Sequence, residues 1–272
     1  MKTGFRKQGS RFSDRVLGVV IALHGRRLLL AAVALLATPG SMKAQMPGMG
    51  DSGKMPPPVM DHQIFAHVLF DQFEGRGNGS QNQFRWDGEG WIGTDRNRLW
   101  FKSEGFGDKS GVSDGDHEVL YDRPIPHTRY FDAQAGVRAD LDSDPSRVWA
   151  AIGIEGLAPY FFQLAPTFYI RNDGHVAGRI NASYDVSLSQ RFILQPQAEV
   201  NFYSKDDPAR KIGSGFSDLD AGIRLRYVIS RKFSSYIGYT YNGKYGGSAD
   251  YARAAGERTA TPSFVFGVRI WR

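Results

Sequence analysis

From about residue 63 to its end, this chain breaks into segments of roughly ten residues in which apolar and polar side chains alternate. In 129–141, Phe131, Ala133, Ala135, Val137, Ala139 and Leu141 fall on one face, and Asp132, Gln134, Arg138 and Asp140 on the other. In 216–229, Leu219, Ala221, Ile223, Leu225, Tyr227 and Ile229 oppose Asp218, Asp220, Arg224 and Arg226. The same pattern recurs in 176–185 and 192–202, and 262–271 carries Phe264, Phe266, Val268 and Ile270 on one face. A period of two is the geometry of a strand. After residue 44 no uninterrupted apolar run approaches the ~18 residues of a membrane-spanning helix. If this chain enters a bilayer, it does so with strands.

Alternation alone also suits a soluble antiparallel sheet. Number and length of segments point further. About twelve are present, each near the ~9–11 residues that cross a bilayer as a tilted strand. The links between them differ: those near 75–83, 107–116, 203–216 and 245–260 read as long and polar, and those near 94–97, 157–160 and 230–232 as short. Long outer loops and short inner turns mark outer-membrane barrels. The links at 141–146 and 171–175 break the rule, being short where it wants outer loops. The expectation is an all-β, transmembrane, antiparallel up-and-down β-barrel over 63–272, with about twelve strands and ten as the alternative. An even count puts both termini at the periplasmic side. Asp71, Glu89, Lys102, Glu104, Arg138, Glu199, Arg224 and Arg226 are then expected in the lumen.

The net charge of +6 invites a nucleic-acid reading, but its placement excludes one. Residues 1–44 hold eight Lys or Arg against a single acid, Asp14, leaving the remainder slightly acidic. This basic stretch precedes ten apolar residues, Leu28 to Ala37, closed by Thr38-Pro39-Gly40. Such a core is too short to span a membrane and fits a secretory signal peptide over 1–44, with cleavage after Ala44. The chain has no cysteine, which excludes disulfides, thiolate metal sites and a cysteine nucleophile.

Apart from Met1, the methionines are Met42, Met46, Met49, Met55 and Met60, and none occurs in the 212 residues beyond. Methionine is ordinarily a core gap-filler, so its confinement to a Pro/Gly-rich stretch points elsewhere. Thioether sulfur is a soft ligand that favours Cu(I). Residues 45–62 therefore read as a disordered copper-binding tail, with Met46, Met49, Met55 and Met60 as ligands and His62 beside them. His67 and Asp71 share a face of the first strand and complete the candidate metal set. The alternative for His67 is a solitary polar residue at the barrel rim. His117, in Asp114-Gly115-Asp116-His117-Glu118, reads as a loop residue, as do His127 and His175. The spacing of Asp140, Asp142 and Asp144 starts like a calcium loop, but Pro145 and Ala151 stand where Gly and Glu are needed. No G-x-S-x-G is present, and no serine–histidine pair is singled out.

The stretches Val68-Leu69-Phe70-Asp71-Gln72, Trp86 to Gly93, Trp149 to Gly153, Gly156 to Tyr160, Leu194-Gln195-Pro196, Lys205 to Pro208 and Asp250 to Glu257 together resemble the copper resistance protein B family of Gram-negative outer membranes. The likeness spans about 60–272. It implies copper tolerance, usually beside a periplasmic multicopper oxidase, although the methionine-rich leader here is short. The resulting expectation is a non-enzymatic barrel embedded in outer-membrane lipid. Its tail captures Cu(I) in the periplasm, and the barrel anchors copper or passes it across. Two other classes compete: a barrel-embedded lipid hydrolase or acyltransferase, and a soluble periplasmic β-barrel binding protein.

Overall fold

A computed structural model describes residues 63–272 apart from 79–81, 109–110, 129 and 142–144. The strands are β1 (Phe65–Gly77), β2 (Asn82–Gly93), β3 (Arg98–Asp108), β4 (Gly111–Pro124), β5 (Phe131–Asp140), β6 (Arg147–Ala158), β7 (Phe162–Ile170), β8 (Val176–Ser183), β9 (Val186–Ser187), β10 (Phe192–Tyr203), β11 (Gly215–Ser230), β12 (Phe233–Lys244) and β13 (Ala260–Trp271). Each pairs antiparallel with its neighbours, and β1 pairs with β13, so the sheet closes on itself without a free edge. The two-residue β9 continues β8 along β10 after a break at Tyr184 and Asp185. Counted as staves of the wall, the strands number twelve, and the ten-strand alternative is set aside. One helix, α1 (Gly246–Ala254), lies in the link between β12 and β13.

The burial pattern is inverted relative to a water-soluble protein. Phe264 (73% exposed), Ile237 (64%) and Val137 (52%) stand on the outside, whereas Glu74, Arg224 and Asp140 are buried within. An outer face this apolar is suited to hydrocarbon, and a closed barrel satisfies its backbone there. The faces expected for 129–141, 176–185, 192–202 and 216–229 are the faces observed. Both described ends lie at one rim, where Val68 and Arg272 exchange backbone hydrogen bonds of 2.9 Å.

The links are less regular than the sequence suggests. The links 204–214 and 245–259 are long, the second holding α1, as expected. In 75–83 and 107–116, however, strands run almost to the turn: β1 ends at Gly77 before β2 at Asn82, and β3 ends at Asp108 before β4 at Gly111. Glycine and polar residues there look like loop, but cross-strand pairing carries the ladder through them. His117 is accordingly a strand residue, opposite Ser103, and not a loop residue.

Candidate functional site

Two places were expected to carry function: the methionine tail with its neighbours, and the lumen. Met46, Met49, Met55, Met60 and His62 lie outside the described residues, as do the 1–44 leader and the 45–62 tail. His67 and Asp71 are described, and they take different partners. Asp71 accepts a hydrogen bond from Arg269 Nε at 2.5 Å, which engages its carboxylate with a cation. The His67 ring lies between Trp91 and Trp271, with ring centroids 6.2 and 6.0 Å away. Among the described residues, no group of three or more His, Cys, Asp or Glu is arranged to hold a metal ion. His127 sits in the turn after β4 with φ 67°, and His175 in the link after β7, hydrogen-bonded through Nδ1 to Asp173 at 3.0 Å.

The lumen is filled by a lattice of arginines and carboxylates. Arg85 on β2 donates to Asp220 on β11 at 2.7 Å and to Glu199 on β10 at 3.1 Å. Arg179 on β8 reaches Asp116 on β4 at 2.6 Å and pairs with Glu104 on β3. Arg224 on β11 grips Glu74 on β1 with two bonds of 2.9 Å, and Arg76 joins Glu74 to Asp220. Arg138 pairs with Asp116 and Asp140, each at 2.7 Å. The Phe106 ring fills the space beside Arg76 and Arg85, 5.1 and 5.0 Å from their guanidinium carbons. Several of these pairs join strands on opposite sides of the cylinder. The gap lined by Gln72, Arg76, Arg85, Gln197, Glu199, Asp220 and Arg224 has no room for a water molecule. Nearer the rim that carries the termini, Lys102 bonds to Glu155 at 2.5 Å and Arg226 to Asp185 at 2.5 Å.

Charges removed from water must be paired, and planar guanidinium is the group best suited to bridging two carboxylates. All eight expected lumen residues do face inward. Glu74, Arg76, Arg85 and Asp116 were missed. A bulge in β1 between Phe70 and Gln72 switches which parity points inward, from His67 and Leu69 to Gln72, Glu74 and Arg76. Asp116 was hidden in a stretch that read as an acidic loop. The alternation of Arg76 and Glu74 with exposed Phe73 was the available signal.

The links 204–214 and 245–259 meet over the rim opposite the termini. Ser248 of α1 accepts from the Gly213 amide at 2.8 Å and shares a 2.7 Å bond with Ser217. Asp207 is held by Arg147 and Arg171, both at 3.1 Å. Partial burial pushes the Asp207 carboxyl up, but the hydrogen bonds from those two arginines outweigh it and hold it below the ordinary carboxylate range. Glu257 is likewise held low by hydrogen bonds from Lys211 and Lys244.

Comparison with known proteins adds the lineage. A family model described as "Copper resistance protein B precursor (CopB)" matches residues 64–272. "Copper resistance protein B" of Escherichia coli is 40% identical over 213 residues, covering 78% of this chain and 71% of that protein. "Copper resistance protein B homolog" of Pseudomonas syringae pv. tomato is 37% identical over 213 residues, covering 78% and 72%. Solved structures of similar shape include a NanC porin, with a TM-score of 0.48 and 14% identity over 76% of this chain and 99% of that one. A KdgM porin gives 0.44 and 11%, over 75% and 98%. Most of the length, and the whole barrel wall from Phe65 to Trp271, falls within the matched region. The chain belongs to the copper resistance protein B family.

Proposed function

We propose that this protein supports copper resistance by holding a Cu(I)-capturing tail at the outer membrane, with the barrel as anchor and not as conduit. Ion pairs across the lumen carry this reading: Arg85 with Glu199 and Arg179 with Asp116 join facing parts of the wall. Of the two roles open from sequence, anchoring or passage, the packed interior supports anchoring. Capture falls to Met46, Met49, Met55 and Met60, with His62, because several thioethers together favour soft Cu(I). His67 lies five residues beyond His62 at the rim where β1 begins, so the barrel hands the tail off at one fixed point. The outward apolar belt supports insertion in outer-membrane lipid over a soluble periplasmic barrel. The rim carrying both ends is then periplasmic, facing the compartment where a multicopper oxidase is the proposed partner. Copper handling of this kind is binding without turnover.

Conductance in planar bilayers tests the anchor reading. The purified barrel is expected to give no channel events with or without copper. Copper-dependent conductance would instead assign the barrel a transport role.

A further inference from the structure

Three adjacent turns at the rim that carries the termini share an apolar surface that the wall itself does not use. The turn between β6 and β7 is Pro159-Tyr160-Phe161, and its two aromatic side chains are 83% and 76% exposed. On one side lies the turn between β4 and β5. There the Leu157 amide donates to the Tyr130 carbonyl at 2.9 Å, and the Tyr130 side chain is exposed. On the other side lies the link between β8 and β10. There the Phe162 and Tyr184 rings stack with centroids 4.7 Å apart, and Leu188 is exposed. A contiguous exposed apolar patch marks a site of interaction.

The backbone is strained to present these rings. Tyr160 and Phe161 both stand in the left-handed region, at φ 67° and 65°. Gly and Asn adopt that conformation readily, and aromatic residues do not. Strain of this kind persists at functional positions. Two observations separate a protein partner from the lipid surface. Phe162 already gives this stave an aromatic at the level of an interfacial girdle, and Tyr160 and Phe161 lie beyond it at the tip of the turn. A girdle would also run round the whole rim, yet the remaining turns there, Thr94-Asp95-Arg96-Asn97 and Arg231-Lys232, hold no aromatic residue. The patch is therefore confined to one arc. It is also preformed: Pro124, Pro126 and Pro159 stiffen its turns, and Thr128 Oγ1 donates to the Ile125 or Phe131 carbonyl, 3.1 and 3.3 Å away. A rigid aromatic surface loses little freedom on binding.

Charge at the border narrows the partner. Arg123 and Arg191 are exposed on the same arc, Arg191 donating to Tyr227 Oη at 3.2 Å. The carboxylates of these turns, Asp132 and Asp185, are already engaged, by Arg98 at 2.6 Å and by Arg226 at 2.5 Å. The border is thus cationic, and the complementary surface is acidic. Aromatic side chains beside arginine are also the composition of the energetic centre of protein interfaces. We infer that Tyr130, Tyr160, Phe161 and Leu188, bordered by Arg123 and Arg191, form the docking surface for a soluble periplasmic protein that presents an apolar patch edged with Asp and Glu. The inference rests on the periplasmic placement of this rim proposed above, and it is independent of where copper binds.

The test uses the full chain in cells, with heat-modifiable migration as the check on the barrel. The photo-crosslinking residue p-benzoylphenylalanine is placed at Tyr160 or, on the opposite arc, at Lys232. Irradiation at Tyr160 is expected to join the barrel to one soluble periplasmic protein, through a peptide whose apolar residues are flanked by acidic ones. Lys232 should not give that adduct. Arg123→Glu with Arg191→Glu should cut its yield about tenfold, because like charges then face each other. With the probe moved to Leu188, Tyr160→Asn with Phe161→Gly relieves the turn and removes the rings, so the barrel should keep its compact migration and lose the adduct. No protein adduct at Tyr160, an adduct with lipid alone or with a second copy of this chain, equal yields at Tyr160 and Lys232, or a yield indifferent to charge reversal would each overturn the proposal. Orientation is read separately, from Ser189→Cys in this cysteine-free chain and a membrane-impermeant maleimide. Labelling in intact cells would sink the periplasmic placement itself, whereas protection without an adduct would sink the docking surface alone.

Discussion

Arg85 on β2 and Glu199 on β10 meet at 3.1 Å, although 114 residues and nearly half the circumference of the wall separate them. The bond ties opposite sides of the cylinder, and Arg85 extends it to Asp220. Removing one partner of a buried pair leaves the other charged and unsolvated, at a cost of about 3–5 kcal/mol. Arg85→Met should therefore lower the temperature at which the barrel loses its compact gel migration. Adding Glu199→Gln to that variant should recover part of the loss. An unchanged transition in Arg85→Met would mean that the lattice contributes nothing to stability.

Adjacent residues on β5 give a second expectation. Val137 faces outward, and an arginine at the bilayer midplane there costs about 2–4 kcal/mol. Sequence reasoning alone makes Val137→Arg worse than Arg138→Val, because it treats the lumen as tolerant. The ion pairs from Arg138 to Asp116 and Asp140 change that ranking. Arg138→Val strands two carboxylates, so it should impair assembly at least as much as Val137→Arg. Yields of heat-modifiable protein from the two variants decide the order.

The tail carries the copper claim. Met46, Met49, Met55 and Met60 stand among Pro and Gly, so they converge on an ion only by ordering the chain, at an entropic cost. A peptide covering 45–62 should bind Cu(I) in preference to Zn²⁺, weakening stepwise as each Met becomes Leu. In cells, deleting 45–60 should lower copper tolerance while the barrel still assembles. A four-fold Leu peptide that retains full Cu(I) affinity would remove the methionines from the mechanism.

Acid should loosen the links above the far rim. The folded Asp207 and Glu257 carboxyls lie below their ordinary values. Groups shifted this way stabilise the fold above the unfolded pKa of about 4 and lose that contribution as pH falls through the folded value. Limited proteolysis within 204–214 and 245–259 should stay constant from pH 8 to 5 and rise below about 4. Asp207→Asn should show the acid pattern already at neutral pH. Cleavage that is flat down to pH 3 would mean these pairs do not hold the links.

Much of the barrel was legible in the sequence because a single physical variable, which face meets lipid, writes a period of two into each stave. Phe131 to Leu141 and Leu219 to Ile229 needed nothing else. What escaped depends on partners distant along the chain. The bulge at Phe70–Gln72 reverses the inward parity of β1, and no local pattern announces it. Gly105, Gly107 and Gly111 look like loop glycines, yet the ladder from β2 to β4 runs past them. The matching of Arg179 to Glu104 and Asp116 is set by barrel closure, and a list of charged residues does not contain it.

The closing seam between β1 and β13 also governs time. Asp71 and Arg269, bonded across it, are 198 residues apart, so the first stave waits for the last before its edge is covered. Until Arg272 reaches Val68, β1 remains an open edge. A truncated chain therefore cannot lock the cylinder, and the last strand made is the one that completes it.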